Sequence, residues 1–279
     1  MNRIFIYIFV ILIVASGCNH LKFKQTKITQ KIEYLKKSRP NLSYEAIIPE
    51  PVFKNLKMLG NVKRTGVHGQ RNYGMILRCL RFKNVTEKVE EKYGLPKNIL
   101  LAMVMQESGG VDLLPNSRDD GGLGLCHMQP SVAKEFGLKI YQNCDKLVST
   151  KHGKALRKLI KKYKYDRKKL IKYDDRFHPI LNIDAAGRML AYYGNKKKIK
   201  ETQLKTAIYR YAGARNYQKY YDRLLIYKKR IEDEKLIEEV RKAFNKANPK
   251  LTINGKKGDF DGYINAHQQQ NINYGLNKY

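Results

Sequence analysis

The stretch 96–110 constrains this 279-residue chain most. Pro96 stands where the first turn of a helix begins, a place where its missing N–H costs nothing. The residues after it, 98–108, are apolar almost without interruption until Gln106, and Gly109 with Gly110 then stops the helix. A helix apolar on nearly every side belongs inside a core, and with 42% hydrophobic residues the chain has enough apolar surface to enclose one. From 73 to 93 the positions Ile76, Leu77, Leu80, Val85 and Val89 recur at helical spacing, with Gly94 as the stop. Further helices are expected over 131–136, with Ser131 as N-cap, and over 183–193, 204–211 and 217–246. The basic stretch 146–176 carries Leu156, Leu159, Ile160 and Tyr163 at helical spacing and predicts one or two amphipathic helices. No strand run or repeat stands out, so the fold class is mainly α. The tail, 248–279, is rich in Asn, Gln, Gly and Lys and reads as mostly irregular.

The N-terminus carries an address. Arg3 precedes an unbroken apolar run, 4–14, and Ala15-Ser16-Gly17 leads to Cys18. Such a run is too short for a hydrocarbon core of ~30 Å but suits a secretory signal. Small residues before a cysteine resemble the bacterial lipobox, although Ala15 stands where that motif usually has Leu. The resemblance implies that Cys18 is acylated and anchors the protein to a membrane. Asn19 is not the Asp of inner-membrane retention, so the periplasmic face of the outer membrane is the expected location. In the other reading the signal is merely cleaved and Cys18 has no special role.

The expected organisation is a signal peptide (1–17), a Lys-rich, Pro-interrupted tether (18–72) with a short helix near 30–37, a helical domain (73–230) and a C-terminal helix with its tail (231–279). Export leaves Cys79, Cys126 and Cys144, an odd number, so at most one internal pair can form. Cys126 with Cys144 closes a short loop and is the preferred pair; the alternative is three small buried hydrophobes. No Cys-x-x-Cys or clustered His spacing occurs, so neither a metal nor a cofactor is expected. The net charge of +31 suits an anionic polymer or lipid. Biased base composition gives the same excess in a chain heavy in Lys, Ile, Asn and Tyr, so charge alone selects no partner. Export argues against nucleic acid.

Glu107 is the residue that the helix spacing singles out. Leu100, Met103 and Val104 precede it at i−7, i−4 and i−3, which puts its carboxyl group on the buried face with no Arg or Lys one turn away. An apolar surround and the C-terminal end of a helix both disfavour the carboxylate, so a raised pKa is expected. A carboxyl group that keeps its proton near neutral pH is what glycosidic bond cleavage requires of its acid. The two glycines that follow leave room for a bulky polymer. The competing reading is a helix-end Glu facing solvent.

Four segments in order then resemble one family. They are Gly94-Leu95-Pro96 with Gln106-Glu107-Ser108-Gly109-Gly110, the loop Gly124-Leu125-Cys126-His127-Met128-Gln129-Pro130, Asn182-Ile183 with Gly187, and Ala207-Ile208-Tyr209-Arg210-Tyr211-Ala212-Gly213. Together, over about 75–227, they are similar to the soluble-type lytic transglycosylase domain of the lysozyme-like superfamily. The resemblance implies a lysozyme-like helical domain, here with a basic helical insertion, acting on peptidoglycan without a cofactor and as a monomer. It implies Glu107 as the catalytic residue and Ser108, Gly124, Leu125, His127, Gln129 and Tyr211 as substrate-binding. His127 replaces the family's Gln and Ala212 its Asn; Tyr211 remains and could orient Glu107 through its hydroxyl. A hydrolytic muramidase would need a second carboxylate, with Asp112, Asp119 and Asp120 as candidates. A catalytically silent wall-binding lipoprotein is the third reading.

Overall fold

The computed structural model describes residues 73–273 apart from 114, 117, 195–198, 213–216, 248, 250–251 and 254–255. The expected signal peptide, Cys18 and the tether lie outside the described residues, as does Gly213. Within them the protein is mainly helical. The helices are α1 (Tyr73–Leu80), α2 (Lys83–Tyr93), α3 (Ile99–Glu107), α4 (Pro130–Glu135), α5 (Thr150–Lys162), α6 (Arg167–Leu170), α7 (Pro179–Gly194), α8 (Glu201–Ala212), α9 (Tyr217–Glu232), α10 (Glu234–Ala247) and α11 (Phe260–Asn273). A two-residue antiparallel pair, β1 (Thr252–Ile253) with β2 (Lys256–Lys257), lies between the last two helices. None of the described helices is long and apolar enough to cross a membrane.

Helix α3 is the centre of the molecule, as its composition predicts. Every residue from Ile99 to Met105 is buried, and α1, α2, α7 and α9 pack around it. Its start is stabilised from another helix. Asn98 takes the left-handed conformation and makes no side-chain cap; instead the Glu90 carboxylate of α2 accepts from the backbone N–H of Asn98 (2.8 Å) and of Leu100 (2.7 Å). These are two of the donors that a helix N-terminus leaves without intrahelical partners. The donors and the helix dipole favour the charged form there, against the larger cost of burying it.

The basic stretch forms a satellite. Leu156, Leu159 and Ile160 of α5, Leu170 of α6 and Phe177 join Leu123 in a second, smaller apolar cluster. The lysines of this stretch face outward, consistent with the amphipathic pattern.

Several boundaries differ from the sequence reading. The stretch 73–93 is two helices broken at 81–82, where Arg81 turns its guanidinium toward the carbonyls of Arg78 and Gly110. The stretch 217–246 breaks at Asp233, whose carboxylate accepts from the Leu236 N–H (3.1 Å) and so starts a new helix. Helix α4 begins on Gln129 and Pro130 rather than on Ser131. The tail is not irregular throughout, since 260–273 is helical: Asp259 caps it by accepting from the Gly262 N–H, and Phe260, Tyr263 and Ile264 enter the core beside Phe244. Asn271 donates to the Arg81 carbonyl, so amide groups anchor what composition alone reads as loop. Cys79, Cys126 and Cys144 are all unbridged, contrary to the preferred Cys126–Cys144 pair. Cys79 and Cys126 behave as small buried hydrophobes, and burial pushes the Cys79 thiol up to about 12.

Candidate active site

Glu107 ends α3 with its side chain 18% exposed. The chain then turns sharply: Gly109 and Gly110 both adopt positive φ, and their carbonyls accept from Arg78 Nε of α1 (2.9 Å) and from Arg81 Nη2 just after it (3.0 Å). At Gly110 a Cβ would lie 2.7 Å from the Arg78 Cβ, so no larger residue fits. Ser108 is buried and its hydroxyl serves this turn, donating to the Val104 carbonyl and accepting from the Gly110 N–H.

Opposite stands the loop 121–128, closed by reciprocal backbone bonds between Leu123 and Met128. It is held from beneath by buried polar groups. Asn182, at the start of α7, accepts from the Cys126 N–H (2.8 Å) and donates to the Leu123 carbonyl (3.2 Å). Arg176 is fully buried, paired with Asp174, and donates to the carbonyls of Gly121 (2.7 Å) and Met128 (2.9 Å) at the two ends of the loop. Its remaining nitrogen meets His152 Nε2 at 2.9 Å. Gly124 has φ +81°, and a Cβ there would lie 2.3 Å from Asn182 Nδ2 and 2.4 Å from the Arg176 carbonyl. The loop therefore follows from a buried clamp plus one position that only glycine can occupy.

The clamp presents His127. Its φ of 42° is rare for a non-glycine residue, and its Nδ1 lies 3.7 Å from Glu107 Oε2, with 7% of the side chain exposed. On the other carboxylate oxygen, the Tyr220 hydroxyl of α9 donates to Oε1 at 2.6 Å. Tyr211 of α8 packs edge-on to Tyr220 with ring centroids 5.4 Å apart, and its hydroxyl donates to the Cys126 carbonyl at 3.0 Å. Both phenols are pushed well above their ordinary range, first by burial and next by the charge of Glu107. They stay protonated and act as donors.

Among the sequence-predicted residues, Glu107, His127 and Tyr211 come together. Gly124 and Leu125 shape the loop, with Leu125 wholly buried. Gln129 stands at the N-cap position of α4 without a side-chain capping bond, and hydrogen-bonds Asp120. Tyr220, which donates to Glu107 Oε1 at 2.6 Å, is a residue that sequence reasoning missed. A signal existed: half-buried Tyr220 stands at helical spacing from the buried Leu224, Tyr227 and Ile231 of α9.

Of the three candidate second carboxylates, two are taken up by arginines and the third by neutral donors. Asp112 is buried in an ion pair with Arg167, and Asp119 pairs with Arg157. Asp120 accepts from Asn116 and from the Gly122 N–H; these bonds, with Gln129 and nearby His127, hold its pKa below the usual value although burial acts the other way. No three His, Cys, Asp or Glu side chains gather as a metal set among the described residues. Compared with known proteins, the chain matches no family model, no curated protein and no solved structure.

Proposed function

We propose that the protein is a peptidoglycan lytic transglycosylase in which Glu107 acts alone, first as acid and then as base. The observation that carries this reading is the setting of Glu107: a part-buried carboxyl group at the end of an apolar helix, with a tyrosine hydroxyl on one oxygen and His127 beside the other. The Asp112 and Asp119 carboxylates are occupied by arginines. A one-carboxyl mechanism suits that arrangement better than an inverting pair, which needs a second carboxylate free to activate water about 6.5–9.5 Å away.

In the proposed reaction the Glu107 proton passes to the oxygen joining N-acetylmuramic acid to N-acetylglucosamine, and the anomeric C–O bond breaks. The muramic C6 hydroxyl oxygen then bonds to the anomeric carbon and its proton returns to Glu107. The product is a 1,6-anhydro sugar, no water is consumed, and the carboxyl group ends as it began. Tyr220 orients Glu107, while His127 is the loop group placed to meet the bound glycan. The lysozyme-like form of the helical domain, the basic stretch as an insertion, and the monomeric state belong to the same proposal. So does a lipid anchor at Cys18 on the periplasmic face of the outer membrane, which rests on the sequence of residues 1–19.

Hydrolysis on the same scaffold is the second reading, favoured by Asp120 lying within electrostatic reach of His127. Digesting purified sacculi separates the two. Anhydro ends support the transglycosylase, and reducing ends that have gained water support the hydrolase. Glu107→Gln should lower either activity by about 10²–10⁴-fold, the usual contribution of a general acid–base group, with the fold retained. Sacculus binding without soluble product would point instead to a silent wall-binding protein.

A further inference from the structure

The segment 146–173 contains ten lysines and one carboxylate, Asp166. All ten lysines are exposed. Both arginines of the segment are paired with carboxylates outside it, half-exposed Arg157 with Asp119 and buried Arg167 with Asp112. Among the described residues the ion pair these lysines make is Lys169 with Asp166. On α5 the lysines at 151, 154, 158, 161 and 162 follow one face, and His152, Gly153, Leu156, Leu159 and Ile160 the other. Such a helix face is ordinarily explained by solvation alone.

Apolar exposure is what solvation leaves unexplained. Six large hydrophobic side chains stand exposed among the described residues, and four of them fall in this segment: Leu147 (57%), Val148 (58%), Tyr165 (51%) and Tyr173 (38%). Leu147 and Val148 lie just before α5, while Tyr165 and Tyr173 lie beyond its end, so exposed apolar side chains precede and follow the lysine face along the chain. Lysines with aliphatic and tyrosine side chains at the margins match a lipid headgroup layer, where charge meets anionic heads and apolar groups enter the interface. A carboxylate-bearing polymer would use the lysines but has no place for Leu147 and Val148. The absence of a free arginine fork in this segment also suits a diffuse anionic surface over one defined anionic group.

We propose that the face formed by 146–173 docks on a bilayer containing anionic phospholipid, independently of the reaction at Glu107. The buried side of α5 meets the loop clamp through His152 and Arg176, so docking through the outer side leaves the Glu107 site uncovered by this helix.

The test is co-sedimentation of the full chain with vesicles of phosphatidylcholine alone or with added phosphatidylglycerol, at low and high salt. Because every variant keeps residues 1–72, differences between variants report this face. Each lysine near an anionic leaflet is worth about fivefold in partitioning. Replacing Lys154, Lys158, Lys161 and Lys162 together by Gln should weaken binding to the anionic vesicles at least about tenfold, with little effect on neutral ones. Leu147→Ser with Val148→Ser should lower the binding that survives at high salt, where charge is screened. All these positions are exposed, and matching thermal melts would verify that the variants fold. Equal binding of wild type and lysine variant to anionic vesicles overturns the proposal. So does an unchanged vesicle affinity with loss of binding to purified sacculi, which would assign the face to the wall polymer.

Discussion

At the residue scale, the site depends on who donates to Glu107. Tyr220→Phe removes the 2.6 Å donor to Oε1, and a hydrogen bond to the charged form favours that form. The variant should therefore show its pH–rate profile moved to higher pH and kcat lowered about tenfold, roughly the 1.5 kcal/mol of one charge-assisted bond. KM should change little; an unaltered profile would make Tyr220 a packing residue only. Gly124→Ala tests the loop. It adds a Cβ against Asn182 and Arg176 at positive φ, and should cost about 1–3 kcal/mol of stability, read as a lower denaturant midpoint, together with most of the activity. Glu107 was legible because apolar neighbours at fixed spacing make a buried carboxylate conspicuous. Tyr220 was not, because in a chain with 20 tyrosines one more on a helical stripe reads as core. Tyr211, to which the sequence reading gives the orienting role, donates to the Cys126 carbonyl and also meets the Glu107 carboxyl group through its hydroxyl, contacts set by how α8 meets the loop.

At the element scale, α3 is anchored at one end by Glu90 and at the other by the Gly109–Gly110 turn. Burial pushes Glu90 up to about 7, against the N–H donors of Leu100 and Asn98, which pull it down. The unfolded chain releases this proton near its ordinary value of 4.5 while the folded protein still holds it. The folded state then binds more protons, so stability falls as pH rises from about 4.5 to 7 and levels off above. The loss is on the order of 3 kcal/mol, and Glu90→Gln should flatten it in denaturant titrations across that range. A wild-type curve without this slope would mean that the N–H donors win over burial. The existence of α3, α7, α8 and α9 was legible from apolar period, but their ends were set by contacts the sequence does not display. Asp233 restarts the helix within 217–246 because its carboxylate caps. The helix 260–273 escaped notice because much of its anchoring is by amides, such as Asn271 on Arg81, and polar composition carries no periodic signal for that.

At the scale of the whole molecule, the C-terminal helices belong to the same core as α3. Val240, Phe244, Phe260 and Tyr263 are buried in it, and Tyr73 of α1 donates to Glu239 of α10. Asn271 also buttresses the Arg81 backbone, while the Arg81 guanidinium holds the turn behind Glu107. Deleting residues 233–279 should lower Tm by about 10 °C or more, at roughly 2–4 °C per kcal/mol, and should depress cleavage as that turn loosens. An unchanged melt and full activity would make the segment an appendage. The central claim is that one carboxyl group both gives and takes the proton, and mass spectrometry of sacculus digests addresses it most directly. Wild type should release fragments ending in anhydro sugar with no water gained, and Glu107→Gln should release almost none. Fragments that have gained water, or undiminished release by the Glu107 variant, would contradict the account.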